Sequence, residues 1–326
     1  MLKDLFHEFA ERGVPGASVL VLREGRILHA ESFGLADVEE GIPCTAQTNF
    51  RLASLTKQFT AMAILILMEG KALSLDQHLP DFFPECPSCW EQITLRHLLN
   101  HTSGLFDYEE LISAGTTLPV SDADVLRLLL DRHETYFSPG SKYRYSNSGY
   151  ALLALAVEIG SRTRFASFLQ RHVFEPLKMR DTLAYERGIS QVPHRAYGYS
   201  KRVNRFERDD QSITSSVLGD GGIYSSITDL SKWDQALYTD ELVSATTRQL
   251  AFTGAIQTDR AGTEYGFGWF ISQHRGLREV WHYGETAGFT TRISRFPEKQ
   301  FTVLILTNRS NANIEATPHL IADRLL

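Results

Sequence analysis

Three short stretches carry residue types that could divide between them the work of moving an acyl group. The first is Ser54-Leu55-Thr56-Lys57, within RLASLTKQFTAMAILILMEG. A spacing of three on a helix places two side chains on one face in adjacent turns, so a hydroxyl and an amine stand side by side. A serine is a weak nucleophile at neutral pH and needs a neighbour to take its proton. Lysine can serve only when its amine is neutral, a state that burial or nearby positive charge favours. The second stretch is Tyr145-Ser146-Asn147. A phenol near a lysine ammonium loses its proton more readily and can pass protons to a leaving group. The amide of Asn147 can accept from that lysine and donate to a substrate carbonyl. The third is His282-Tyr283-Gly284, at the end of an apolar run. There glycine permits close approach of a ligand to a strand edge.

Each stretch also has a plain structural explanation. Ser54 could cap its helix with Lys57 in water. Ser146 could cap NSGYALLALAVEIG with Tyr145 packed beside it. His282 could be a half-buried strand histidine. Taken singly, these explanations suffice. Taken together, the three stretches supply different parts of one acyl-transfer site.

The elements that must position them follow from periodicity. Residues 1–12 read as an amphipathic helix, and ASVLVLREGRILHAESFGLAD as a hairpin turning at Glu24-Gly25. A buried helix is expected from about Ser54 to Glu69, stopped by Gly70. ITLRHLLNHTSGL, SDADVLRLLLDRH, SNSGYALLALAVEIG and RFASFLQRHVFEPL have helical spacing with polar starts. Strands return in EYGFGWFIS, REVWHYG, FTTRISRFP and FTVLILTNR, before a closing helix over about Ile314 to Leu326. Strands, then helices, then strands predict an α+β or α/β fold. Its antiparallel sheet would be built from both chain ends (1–75 and 211–326), with a helical domain (76–210) inserted and the site in the cleft between them.

The 326 residues, 43% hydrophobic and 22% charged, suit a globular protein with a large core. A net charge of −6 gives no electrostatic case for nucleic acid. The longest apolar run, AMAILILM, is too short to span a bilayer. Asp4, Glu8 and Glu11 interrupt any signal-peptide core, so a cytoplasmic location is expected for the sequence as given. Cys86 and Cys89 with His97 and His101 carry the letters of a zinc site at the wrong spacing, and no metal is expected. The glycines of LGDGGIYSS lack the spacing and lysine of a phosphate loop, and KRVNRFERDD reads as a solvated hairpin or loop.

With these motifs and the phrases VPGASVLVLREGRILHAESFGLAD, ITLRHLLNHTSGL, FSPGSKYRYSNSGYALL and WHYGETAGF, the sequence resembles the serine β-lactamase and penicillin-binding-protein superfamily. The likeness is to its class C β-lactamase-like branch, over about Val14 to Asn308. It implies catalytic Ser54, Lys57 and Tyr145, and an oxyanion hole from the backbone N–H groups of Ser54 and Glu285. Asn147, His282, Tyr283 and Gly284 would bind substrate, and no cofactor is implied. It also places LGDGGIYSS at the cleft. Where class C β-lactamases usually carry Lys-Thr-Gly, this chain has His-Tyr-Gly, similar to D-amino-acid peptidases and esterases of the branch. The expected function is hydrolysis of small esters through an acyl-enzyme. The alternatives are a D-amino-acid peptidase or amidase, a weak β-lactamase, and a silent binding relative.

Overall fold

The computed structural model describes residues 2–203 and 205–326. One eight-stranded antiparallel sheet organises it. Its strands are β1 (Ala17–Arg23), β2 (Arg26–Phe33), β3 (Ile256–Gln257), β4 (Glu264–Tyr265), β5 (Phe270–His274), β6 (Leu277–Thr286), β7 (Phe289–Phe296) and β8 (Phe301–Thr307). Their spatial order is β3-β4-β5-β6-β7-β8-β1-β2, so the two chain ends meet where β8 pairs with β1. The mixed α+β fold expected from the sequence is the one observed. Central β1 has no polar face to show water and is buried from Ala17 to Leu22. Edge strand β2 exposes Arg26 and leaves Glu31 partly exposed, charges that discourage pairing with another chain. The Glu24-Gly25 turn has both residues at positive φ, 52° and 72°, the conformation that suits a two-residue hairpin.

Side chains alternate across the sheet and feed two cores. On one face Val19, Val21, Val303 and Ile305 pack with Phe6, Phe9 and Ile321 from the terminal helical segments. On the other, Leu20, Leu22, Leu304 and Leu306 join a large cluster with Phe59, Leu98, Leu152, Phe168 and Trp233. At its centre lies α1 (Lys57–Glu69), buried at every position from Lys57 to Leu65. Around it stand α2 (Leu95–Leu99), α3 (Asp122–Leu130) and α4 (Asn147–Ser161).

Several local expectations shift. Of the helix expected over 1–12, the described residues form a 3-10 segment, Lys3–Phe9, in which Phe6 leaves helical geometry at φ −120°. Helix α1 does end at Gly70, but that glycine keeps φ −71°, and it is Lys71 that turns left-handed at 60°. EYGFGWFIS is two strands rather than one. Gly268, at φ 78°, turns the chain between them, and a Cβ there would meet the Lys57 carbonyl at 2.8 Å. KRVNRFERDD is a hairpin, Tyr199–Arg202 paired with Arg205–Arg208, with Asn204 outside the described residues. The closing helix runs Thr317–Leu325.

Candidate active site

Ser54 sits in a 3-10 turn, Ala53–Thr56, immediately ahead of α1. Ala53 holds φ 49°, a strained value for a residue with a Cβ and one often found beside a reactive group. The turn is locked from two sides. The Leu52 carbonyl accepts from Thr291 Oγ1 at 2.8 Å, and Thr56 Oγ1 accepts from the Ile223 N–H at 3.2 Å. Strand β6 presses against it at Gly284, where a Cβ would come within 2.4 Å of the Leu52 oxygen and 3.0 Å of the Ser54 nitrogen. Any other residue at 284 would push the strand away from the serine.

Lys57 is the hub. Its side chain has no exposed surface, and Nζ lies 3.0 Å from Ser54 Oγ, 2.8 Å from Asn147 Oδ1 and 3.0 Å from the Asp220 carbonyl oxygen. Burial lowers its pKa to about 8, against the pull of the Asp220, Asp107 and Glu109 carboxylates. A neutral amine has two N–H bonds and one lone pair. Asn147 Oδ1 and the Asp220 carbonyl can only accept, so they take the two N–H bonds. The lone pair is left for the Ser54 hydroxyl proton.

Tyr145 closes the other side. Its ring centroid is 5.1 Å from Lys57 Nζ. Burial raises its pKa well above the ordinary phenol value, although a hydrogen bond with Ser54 works against this. The phenol therefore rests protonated. Asn147 opens α4, and its backbone N–H donates to Asp107 Oδ2 at 2.6 Å. Ser146 makes no side-chain cap bond, so the capping explanation fails here as it does at Ser54.

The third stretch differs from expectation. His282 is completely buried, so its ring does not reach the cleft. Its Nδ1 donates to the Tyr283 carbonyl at 2.6 Å, which leaves Nε2 to accept from Tyr265 Oη at 2.9 Å. Burial and the Lys57 charge drive its pKa down to about 3, so the ring stays neutral. The expected contact between His282 and substrate is corrected to support from beneath, because alternation along β6 turns it into the core. Tyr283 faces the other way, into a cavity of about 260 Å³ that it shares with Glu285 and Arg292.

A cleft of about 40 Å³ opens at Ser54, lined among others by Glu109, Asn147, Asp220, Gly221 and Glu285. Three contributors were not singled out from the sequence: Tyr108, Glu109 and Asp220. Tyr108 Oη donates to Asp220 Oδ2 at 2.9 Å, and Asn147 Nδ2 donates to Glu109 Oε1 at 3.4 Å. Burial raises the pKa of Asp220 to about 6, and burial with the Asp107 charge raises that of Glu109. Their available signals were the acidic FDYEE after HTSGL and the aspartate inside the glycine-rich LGDGG. That glycine stretch does border the cleft, pinned by Asp122, which accepts from the Leu218 and Gly219 N–H groups at 2.9 and 3.0 Å. Of the four residues with zinc-site letters, His97 and His101 have Nδ1 occupied by backbone N–H groups of Thr94 and Ser146.

The profile of the Beta-lactamase family matches residues 2–326. The chain belongs to that family. It is 33% identical over 342 residues to a penicillin-binding protein of Bacillus subtilis strain 168, covering 98% of this chain and 75% of that protein. A D-aminopeptidase of Gluconobacter oxydans strain 621H is 27% identical over 325 residues, covering 95% of this chain. This beta-lactamase-family chain spans only 59% of that second relative. Among solved structures, the octameric penicillin-binding protein homologue from Pyrococcus abyssi superposes with a TM-score of 0.89 at 27% identity, covering 99% of this chain and 76% of that one. Enzymes of the family act on amide, ester or β-lactam bonds. No helix among the described residues is long and apolar enough to cross a membrane.

Proposed function

We propose that this protein is a serine hydrolase that forms an acyl-enzyme at Ser54 on small esters and amides. The observation that carries the reading is the 3.0 Å contact between Ser54 Oγ and a wholly buried Lys57 amine with a pKa of about 8. As Oγ attacks the substrate carbonyl, the neutral Lys57 takes its proton. Backbone N–H groups of Ser54 and Glu285 hold the oxyanion. Tyr145 protonates the departing oxygen or nitrogen and is recharged from Lys57. Water then follows the same route in reverse and frees Ser54. Residues 1–75 with 211–326 supply Ser54, Lys57 and Glu285, while 76–210 supply Glu109, Tyr145 and Asn147. The reaction would thus run in the cleft between a sheet lobe and a helical lobe.

The sequence favours small esters. The carboxylates of Asp107, Glu109 and Asp220 around the cleft favour a second reading, in which the acyl group carries an ammonium, as in an amino-acid amide or short peptide. The D-aminopeptidase relative supports the same direction. A neutral, enclosed His282 gives the carboxylate of a β-lactam no cation at the third motif, so penicillins should be poor substrates.

The test is intact-protein mass spectrometry of wild type and Ser54→Ala with p-nitrophenyl butyrate, D-alanyl p-nitroanilide and benzylpenicillin, with release rates recorded. An adduct or turnover in wild type alone supports the nucleophile, and the faster probe names the class. Equal turnover by Ser54→Ala would refute it. Absence of both with every probe would favour a silent binding relative.

A further inference from the structure

Beneath Tyr145 lies a histidine to which the proposed chemistry gives no task. His101 is buried, and its backbone is left-handed, with φ 59°. That conformation brings its main chain and its ring to bear on one neighbouring segment. Its carbonyl oxygen accepts from the Arg144 N–H at 3.0 Å, and its Nδ1 accepts from the Ser146 N–H at 3.2 Å. The backbone N–H groups of the two residues on either side of Tyr145 are therefore both anchored to one residue. The ring itself lies against Tyr145, with centroids 4.3 Å apart and planes 35° apart. Tyr265 and Tyr150 enclose it further, at 4.5 and 5.2 Å.

Because Nδ1 accepts, the ring hydrogen of the neutral imidazole sits on Nε2, which has no hydrogen-bond partner. An orphaned buried donor is a destabilising feature that an apolar side chain of similar size would avoid. What an apolar residue could not supply is the Nδ1 acceptor. Burial, followed by the Lys57 charge, holds the imidazole pKa well below its usual value, so that acceptor stays free of a proton.

We propose that His101 is a positioning residue for the hydrolytic reaction, fixing the Tyr145 phenol against Ser54 by holding the backbone N–H groups of its two neighbours, Arg144 and Ser146. This rests on the reading of Tyr145 as the proton carrier. The role is separate from packing, since it requires an acceptor at one point rather than volume. Asparagine tolerates a left-handed backbone and carries an acceptor oxygen. Leucine has neither property.

The experiment compares wild type, His101→Leu, His101→Asn, Tyr145→Phe and the double variant His101→Leu/Tyr145→Phe. Each is assayed with p-nitrophenyl butyrate or D-alanyl p-nitroanilide, whichever wild type turns over faster, and by the rate of Ser54 labelling with a fluorophosphonate. His101→Leu should lower kcat by about 30-fold to 100-fold with KM within about threefold, as loss of a placed proton carrier would. His101→Asn should recover about tenfold of that. The double variant should be no slower than Tyr145→Phe within about twofold, since the two residues act through one group. Multiplied losses in the double variant, an asparagine no better than leucine, or a wild-type kcat in His101→Leu would each overturn the assignment. Full activity in Tyr145→Phe would instead sink the proton-carrier reading, and the His101 assignment with it. If His101→Leu does not fold, His101→Ala against His101→Asn carries the same comparison.

Discussion

Helices α1 and α3 each begin near a serine that stands three residues before a charged side chain, and these serines end in opposite states. Ser121 heads α3 as a capping box. Its Oγ accepts from the Asp124 N–H at 3.3 Å and donates to Asp124 Oδ2 at 2.6 Å, while its backbone stays extended at φ −99°, ψ 171°. Every polar atom is spent on the helix end. Ser54 precedes α1 with the same spacing and makes no cap bond, because it sits inside a 3-10 turn entered through the left-handed Ala53 and not at the cap position of the helix. Its hydroxyl meets a buried amine instead. What separates the two serines is the backbone that presents each and the burial of its partner, not the spacing.

That contrast can be broken at several points, beginning with the largest effect. Ser54→Ala should abolish the acyl adduct and lower turnover by at least about 10⁴-fold. Its thermal stability should change by no more than about 0.5 kcal/mol, since no cap is lost. A stability loss comparable to that of a capping serine would show Ser54 to be structural after all.

The next effect belongs to Lys57. Lys57→Arg keeps the charge but cannot deprotonate, so kcat should fall by about 10³-fold. In wild type the base must be neutral, and burial has brought its pKa down to about 8. Neutral amine is scarce below that pH and predominant above it. A pH–rate profile should therefore rise about tenfold per pH unit at acid pH and level off above about pH 8. A profile flat from about pH 6 to about pH 9 would remove Lys57 as the base.

A smaller effect is expected at the cleft wall. Glu109→Gln should raise KM for D-alanyl p-nitroanilide by about tenfold and leave p-nitrophenyl butyrate unchanged, because only the first carries an ammonium. Equal KM shifts for both probes would count against amine recognition. The smallest effect sharpens the opening contrast from its other side. Ser121→Ala should lose about 1 kcal/mol of stability in a denaturant titration with kcat unaltered.

Much of this was legible beforehand because it depends on local rules. The Glu24-Gly25 hairpin, the polar starts of α2 to α4 and the buried run of α1 each follow from a few neighbouring residues. The three short stretches are brought to one place, with Ser54, Lys57, Tyr145 and Asn147 in direct contact or close to it. What was misread depended on contacts distant in sequence. EYGFGWFIS breaks in two because Gly268 must pass the Lys57 backbone. His282 faces the core because pairing of β6 with β7 places it opposite Ile293. Asp220 joins the site because Leu218–Gly221 packs beside α1, held by Thr60 Oγ1 donating to the Gly219 carbonyl at 2.6 Å. Tyr108 and Glu109 join it because their segment is tied to the start of α4, where the Tyr108 N–H donates to Ser148 Oγ and the Asn147 N–H to Asp107 Oδ2.

The sequence by itself determined the family, the order of strands and helices, and which residue types meet at Ser54, since periodicity and short motifs are properties of neighbouring residues. The charge state of Lys57, the inward turn of His282 and the acidic wall of the cleft were decided only by tertiary structure. Each depends on desolvation and on the distance between groups far apart in the chain, and neither exists until the sheet and helices close around them.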